Sequence, residues 1–207
     1  MSNIVISGYY GFGNAGDEAM LCAIIDAIRK EEADAHITVI SGNPTETSKK
    51  HNIHAVGTFS AFGILKAIAN SDLVISGGGS LLQDATSIRN TYYYLSIMAL
   101  AKMMGKKVML YSQGIGPLNR PSTRSAVSFI LRFVDTITVR DSISKSELES
   151  LGIEDVEVTA DAVLAMQPAD LSIGKRILEG YTSKLPKSIE NPKRIGVAVR
   201  SWKDDTE

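Results

Sequence analysis

Three glycine-rich stretches hold most of the residues that could grip a small polar ligand. They read Gly8-Tyr9-Tyr10-Gly11-Phe12-Gly13-Asn14-Ala15-Gly16-Asp17-Glu18, Gly77-Gly78-Gly79-Ser80-Leu81-Leu82-Gln83-Asp84 and Gln113-Gly114-Ile115-Gly116-Pro117. Glycine lets backbone N–H groups approach an anion or a sugar closely and tolerates positive φ where other residues are strained. Gly11, Gly13, Gly77, Gly78, Gly79 and Gly114 are therefore candidate binding positions, joined by Asn14, Asp17, Ser80 and Gln113, whose side chains can hold hydroxyls. Asp17 has a second reading as a helix cap or first-turn charge, and capping is favoured. Arg140, followed by Asp141, offers either a permanently charged fork for carboxylate or phosphate or a structural ion pair, and both readings stand. Arg89, just beyond the second stretch, is a further cationic candidate, whereas Arg120 and Arg124 read as solvated surface charges.

Several chemistries are excluded by what is missing around these stretches. Residues 11–16 spell G-x-G-x-x-G, the fingerprint of a dinucleotide site. The acid that should grip a ribose about 20 positions later is absent from Val39-Ile40-Ser41-Gly42-Asn43. Asp17 and Glu18 would also repel a pyrophosphate from the helix N-terminus. No Gly-Lys-Ser/Thr follows a glycine turn, so the sequence carries no P-loop. His36, His51 and His54 lack metal-ligand spacing and Cys22 is the only cysteine, so neither a metal site nor an intrachain disulfide is expected. Cys22, beside Met20, Leu21, Ile24 and Ile25, reads as an unreactive thiol packed on the buried side of a helix.

Bringing the three stretches together requires a sheet that ends them all at one edge. Short β-branched runs at residues 3–7, 36–40, 53–56, 72–76, 107–112, 136–139 and 156–159 read as strands, and helical periodicity marks 17–31, 61–70, 90–104, 122–134 and 142–151. Residues 41–52 read as a polar connection with a short strand after it. Val108-Met109-Leu110-Tyr111 lacks in–out alternation, as expected of a strand covered on both faces. The predicted fold class is α/β, a doubly wound parallel sheet with every candidate stretch following a strand, at the edge where such sheets bind ligands. Residues 1–167 form this domain. Residues 168–193, with Pro168, Pro186 and Pro192 and a helix near 173–181, read as a linker, and 194–207, with a strand at 194–199, read either as a last strand of the same sheet or, the favoured reading, as the start of a second domain cut short.

Composition narrows the partners. A 44% hydrophobic, 22% charged chain is that of an ordinary globular protein, and 22 basic against 23 acidic residues leave a net charge of −1, with no field to draw in nucleic acid. The N-terminus runs straight into a strand without a basic n-region, so no signal peptide is read, and the uncharged run at 90–101 is shorter than the ~20 residues that span a bilayer. With a single cysteine, these features point to the cytoplasm.

Taken with Thr138-Val139-Arg140-Asp141-Ser142, Thr159-Ala160-Asp161 and Gly196-Val197-Ala198-Val199-Arg200-Ser201-Trp202, the three stretches resemble in order and spacing the polysaccharide pyruvyltransferase family. They are most similar to its bacterial branch that pyruvylates secondary cell-wall polysaccharides for S-layer anchoring. The resemblance spans the chain and implies one Rossmann-like half of a two-domain, GT-B-like enzyme with its site in the interdomain cleft. It implies transfer of pyruvate from phosphoenolpyruvate onto two hydroxyls of one sugar of a lipid-linked glycan, giving a cyclic ketal and phosphate without a cofactor. That acceptor implies work at the cytoplasmic face of the membrane, in peripheral contact with it. In the family a histidine and a lysine of the donor site belong to the second domain. The chain is therefore expected to be the N-terminal, acceptor-side half, inactive alone, with Arg140 and Arg89 offered to the donor. Two other classes fit the same sheet: a GT-B glycosyltransferase using a sugar nucleotide, and a non-catalytic glycan-binding module.

Overall fold

Aliphatic and β-branched runs form a seven-stranded sheet in the order β3-β2-β1-β4-β5-β6-β7. Its strands are β1 (Asn3–Ser7), β2 (His36–Ser41), β3 (His54–Gly57), β4 (Leu73–Gly77), β5 (Lys107–Gln113), β6 (Thr136–Val139) and β7 (Glu157–Val158), and every pairing is parallel. The computed structural model describes residues 1–168, 170–183, 195 and 197. The connecting helices are α1 (Ala15–Glu31), α2 (Pro44–His51), α3 (Ala61–Ala69), α4 (Ile88–Met103), α5 (Pro121–Leu131) and α6 (Ser142–Glu149). The chain winds outward from β1 to β3, crosses back, and winds the other way from β4 to β7. This reversal places the topological switch point between β1 and β4, where the outgoing loops part and leave a crevice.

Strand periodicity of two sorts neighbouring side chains to opposite faces. Ile4 and Ile6 pack with Ile37, Val39 and Ile75 against Leu21, Ile24 and Ile25 of α1. Val5, Val74, Val108, Leu110 and Val139 belong to a second core with Ile68, Met98, Val127, Leu131 and Leu148 from α3 to α6. Each large side chain so buried contributes about 1.5–3 kcal/mol relative to exposure. The doubly wound sheet expected from the sequence is thus the observed one.

Three local expectations change. Residues 44–51, read as part of a polar connection, form α2, because Asn43 caps it by accepting from Glu46 N–H at 3.3 Å while its own amide donates to Glu46 Oε2 at 2.8 Å. Pro44 sits in the first turn, Lys49, Lys50 and His51 in the last, and Asn52 closes the helix in the left-handed region. Only Thr47 of this helix is buried, so no apolar stripe marked it. A short 3₁₀ helix, Ala162–Ala165, also follows β7. Cys22 is half-buried rather than core: it lies one position off the stripe of α1, with Sγ 3.8 Å from Asp26 Oδ2. Burial first, and the Asp26 carboxylate next, push its thiol pKa up, which keeps it protonated and unreactive.

The chain divides into a compact unit, Met1–Met166, and a remainder, Gln167–Glu207. In the remainder α7 (Leu171–Thr182) is capped by Asp170, which accepts from Ser172 N–H at 2.8 Å. The strand expected at 194–199 and the Arg200-Ser201-Trp202 run lie, apart from positions 195 and 197, outside the described residues. No described helix is long and apolar enough to cross a membrane. Leu110, fully buried on β5, should cost about 2–5 kcal/mol when replaced by alanine. Phe59→Ala, at a side chain 93% exposed, should stay within about 0.5 kcal/mol of wild type, both read by urea unfolding.

Candidate functional site

The glycine loops meet around a buried phenol. Tyr10 is 1% exposed, and its hydroxyl donates to the carbonyl of Gly77 at the end of β4. Desolvation, reinforced by the nearby Asp17 carboxylate, drives its pKa far above the usual range, so the hydroxyl stays a donor. Gly11 has φ +78°, and a Cβ there would stand 2.5 Å from Asn43 N. Its N–H donates to Glu18 Oε1 at 2.7 Å, and Glu18 also pairs with Lys50 at 3.7 Å. The first loop thus spends one glycine N–H on its own carboxylate, that of Glu18. Phe12 covers Gly42 just beyond β2, where a dinucleotide fold keeps its ribose acid, with its ring 2.7 Å from where a Cβ would be. Asn14, not Asp17, caps α1, accepting from Gly16 N–H at 3.1 Å, because Asp17 lies within the first turn rather than before it. Asp17 Oδ1 instead faces Gly79, 3.1 Å from the position of an absent Cβ.

Most glycine N–H groups expected to face a ligand are engaged inside the edge. Gly78 N–H donates to Tyr111 O at 3.3 Å, Gly79 N–H points at Met20 Sδ at 2.9 Å, and Gly114 N–H donates to Gly79 O at 2.9 Å. Gln113, expected to meet ligand, is fully buried instead: its Nε2 donates to Ser76 Oγ at 3.0 Å, supporting the turn from beneath. An irregularity in the β5–β6 pairing, with Ser112 at φ 48° and its N–H on Thr138 Oγ1 at 2.8 Å, sets this turn. Asp84 ties the second and third loops together through the N–H groups of Asn119 and Arg120, both at 2.8 Å. Gly13 differs from the others, since nothing lies within 4 Å of its Cβ direction and it borders a groove of about 470 Å³ with Glu18, Thr47 and Lys50.

Arg140, at the end of β6, lies over Gly114. A Cβ at Gly114 would come within 2.7 Å of the Arg140 Cζ and Nη2 and of Ser80 Oγ, so a side chain there would have to displace the guanidinium and the hydroxyl. Nη2 donates to Ser80 Oγ at 3.2 Å, Nε reaches Asp141 Oδ2 at 3.3 Å, and Nη1 lies 3.6 Å from Asp161 Oδ2. The ion-pair reading of Arg140 is realised, with a third of the side chain still open to solvent. Arg89 is exposed on the first turn of α4 and has no ion pair with a described residue. Arg124 is not a solvated charge: it is half-buried, paired with Glu147 and bonded to Ser150 Oγ at 2.8 Å, because α5 and α6 pack side by side there.

Sequence reasoning passed over Tyr9 and Phe12. Their rings stack 4.4 Å apart with planes 14° from parallel and stay 38% and 45% exposed, an apolar platform on the first glycine loop. The signal was present as aromatic residues inside a loop, where packing alone does not call for them. The three histidines give nothing to this edge: His36 and His54 open β2 and β3 and His51 ends α2, all at the opposite edge. Among the described residues no three potential metal ligands come together.

Comparison with known proteins supplies the context. The family model for polysaccharide pyruvyl transferase matches residues 14–206. The amylovoran biosynthesis protein AmsJ of Erwinia amylovora is 25% identical over 240 aligned positions, covering 95% of this chain and 56% of AmsJ. HepE of Anabaena, solved with UDP and glucose, superposes with a TM-score of 0.50 at 13% identity over 86% of this chain and 50% of its own. The MnaA–UDP co-structure from S. aureus gives 0.51 at 14% identity over 78% and 44%. These likenesses establish the Rossmann-like fold of the GT-B kind, and the chain spans about half the length of the proteins it matches.

Two outcomes test the loop geometry. Gly11→Ala should cost at least about 2 kcal/mol more than Gly13→Ala in urea unfolding, because positive φ burdens both while only Gly11 also meets backbone. For Asp84, burial opposes ionisation, but the two N–H donors outweigh it and hold the carboxyl below its usual range. A depressed native pKa means that ionised Asp84 stabilises the fold above roughly pH 4 and loses this contribution as pH falls through its native value. Asp84→Asn should therefore weaken the protein at pH 7 and flatten its acid destabilisation, as followed by urea midpoints across pH.

Proposed function

The chain belongs to the polysaccharide pyruvyl transferase family, and from that premise we propose that its glycine-lined edge is one wall of a site where pyruvate passes from phosphoenolpyruvate to a glycan. The observation that carries this reading is Arg140, lying over Gly114 yet partly open, at the carboxyl edge of a doubly wound sheet. Its guanidinium suits the carboxylate or phosphate of the donor, with the exposed Arg89 as a second cation. The stacked Tyr9 and Phe12 suit the apolar face of a sugar ring, with Asn14, Asp17, Gly13 and Ser80 as polar neighbours.

In the proposed reaction one acceptor hydroxyl adds to C2 of phosphoenolpyruvate as a proton goes to C3 and the hydroxyl proton goes to a base. The second hydroxyl of the same sugar then takes the place of phosphate on C2, closing the ketal. This needs a poised acid and base and further cations. The three histidines stand at the far edge, so these groups fall to a second wall outside the chain, for which relatives of about twice this length have room. In the same reading, residues 168–193 link the halves, 194–207 begin the second, and the chain alone does not turn over. The acceptor is a lipid-linked cell-wall glycan, of the kind used for S-layer anchoring, met at the cytoplasmic face of the membrane.

The test is phosphate release and ketal formation, by mass spectrometry, from phosphoenolpyruvate and a polyprenyl-linked glycan. The chain should be tried by itself and within any longer protein that carries it, with UDP-sugars as the competing donors. Turnover with phosphoenolpyruvate only in the longer form is expected, and Arg140→Ala should lower kcat/KM about 100-fold with little change in melting temperature. Turnover with a sugar nucleotide would reassign the site to glycosyl transfer, and acceptor binding without any turnover to a glycan-binding role.

A further inference from the structure

The guanidinium of Arg140 has a partner on each arm, and they are not equally displaceable. An incoming carboxylate or phosphate binds such a fork through two neighbouring N–H directions. Asp141, 3.3 Å from Nε, is the more firmly held: its other oxygen accepts from Ser144 N–H at 2.7 Å and caps α6, whereas the cap that Asp161 makes on Val163 N–H is longer, at 3.1 Å. Ser80, on Nη2, is a neutral hydroxyl that can rotate away. Asp161, 3.6 Å from Nη1, brings a second negative charge onto the cation, so Arg140 with its two carboxylates sums to −1.

We propose that Asp161 is an internal competitor for the anion site of Arg140, a specificity-determining residue whose carboxylate occupies the Nη1 arm until a phospho-acid displaces it. The inference rests on the reading of Arg140 as the donor's anchor. The backbone around Asp161 is held still, since Thr159 N–H donates to Val139 O at 2.8 Å and Ala162 is buried in the α1 core. The exchange is therefore a swing of one side chain, away from Nη1 while Asp161 Oδ1 keeps its place as cap on Val163 N–H at 3.1 Å. The same competition returns after reaction and favours release of phosphate.

Asp161→Asn separates charge from structure, because an asparagine oxygen still caps the 3₁₀ helix. Calorimetric titration of the full chain with inorganic phosphate, and in parallel with phosphoenolpyruvate, should show about two- to fivefold tighter binding by Asp161→Asn, the range of a partly exposed ion pair. Melting temperature should hold, and the gain should shrink toward unity as salt rises from about 50 mM to about 500 mM. Asp161→Ser, which also keeps a capping oxygen, gives the same readout should asparagine disturb the fold. Equal or weaker binding by both variants, with Arg140→Gln abolishing it, overturns the competitor role and leaves the anchor standing. Binding that survives Arg140→Gln, or no binding by any of these proteins, overturns the anchor reading and this inference with it.

Discussion

One buried hydrogen bond organises the edge: the Tyr10 hydroxyl donating to the Gly77 carbonyl across the switch point between β1 and β4. A phenol of that size, fully enclosed, leaves no room for side chains on the backbone that wraps it. A Cβ on Gly8 would overlap its ring, and on Gly78 would stand 3.3 Å from its oxygen. Gly8, and the close approach at Gly78, therefore belong to the packing shell of one tyrosine whether or not a ligand binds. An unpaired hydroxyl in that position would cost about 1–3 kcal/mol, which is why the pairing is obligatory rather than decorative.

This constraint decides what the site can use. The N–H groups of Gly11, Gly78, Gly79 and Gly114 face partners inside the edge, so the wall has few backbone donors left for a phosphate. Under the proposed reading, recognition falls to side chains that the loops carry: the Tyr9 and Phe12 rings, Ser80, Asp17 and above all Arg140. Around Arg140 the acids outnumber the cation, so this wall by itself is a poor trap for a trianion.

The strands and the parallel sheet covered on both faces followed from pattern, because burial on two faces demands uninterrupted apolar runs and the loops that end them demand glycine. Helix α2 escaped notice because capping by Asn43 and Glu46, rather than an apolar stripe, holds it. Arg124 was misjudged for a related reason: a charge read alone looks solvated, while its partner Glu147 lies on a different helix. In the same way Cys22 sits beside an apolar stripe without belonging to it, a difference of about 100° around the helix that composition cannot register.

From the sequence alone came the sheet, the edge at which its loops converge and the family, since each depends on residues near one another in the chain. Only the tertiary structure could show that Gln113 is buried beneath the third loop and that Arg140 lies over Gly114. Those facts are contacts between strands that are distant in sequence, such as Ser80 with Arg140, and their geometry is set by interatomic gaps of a few tenths of an ångström. A motif records which residues are present at an edge, while packing determines which of their atoms remain free to meet a substrate.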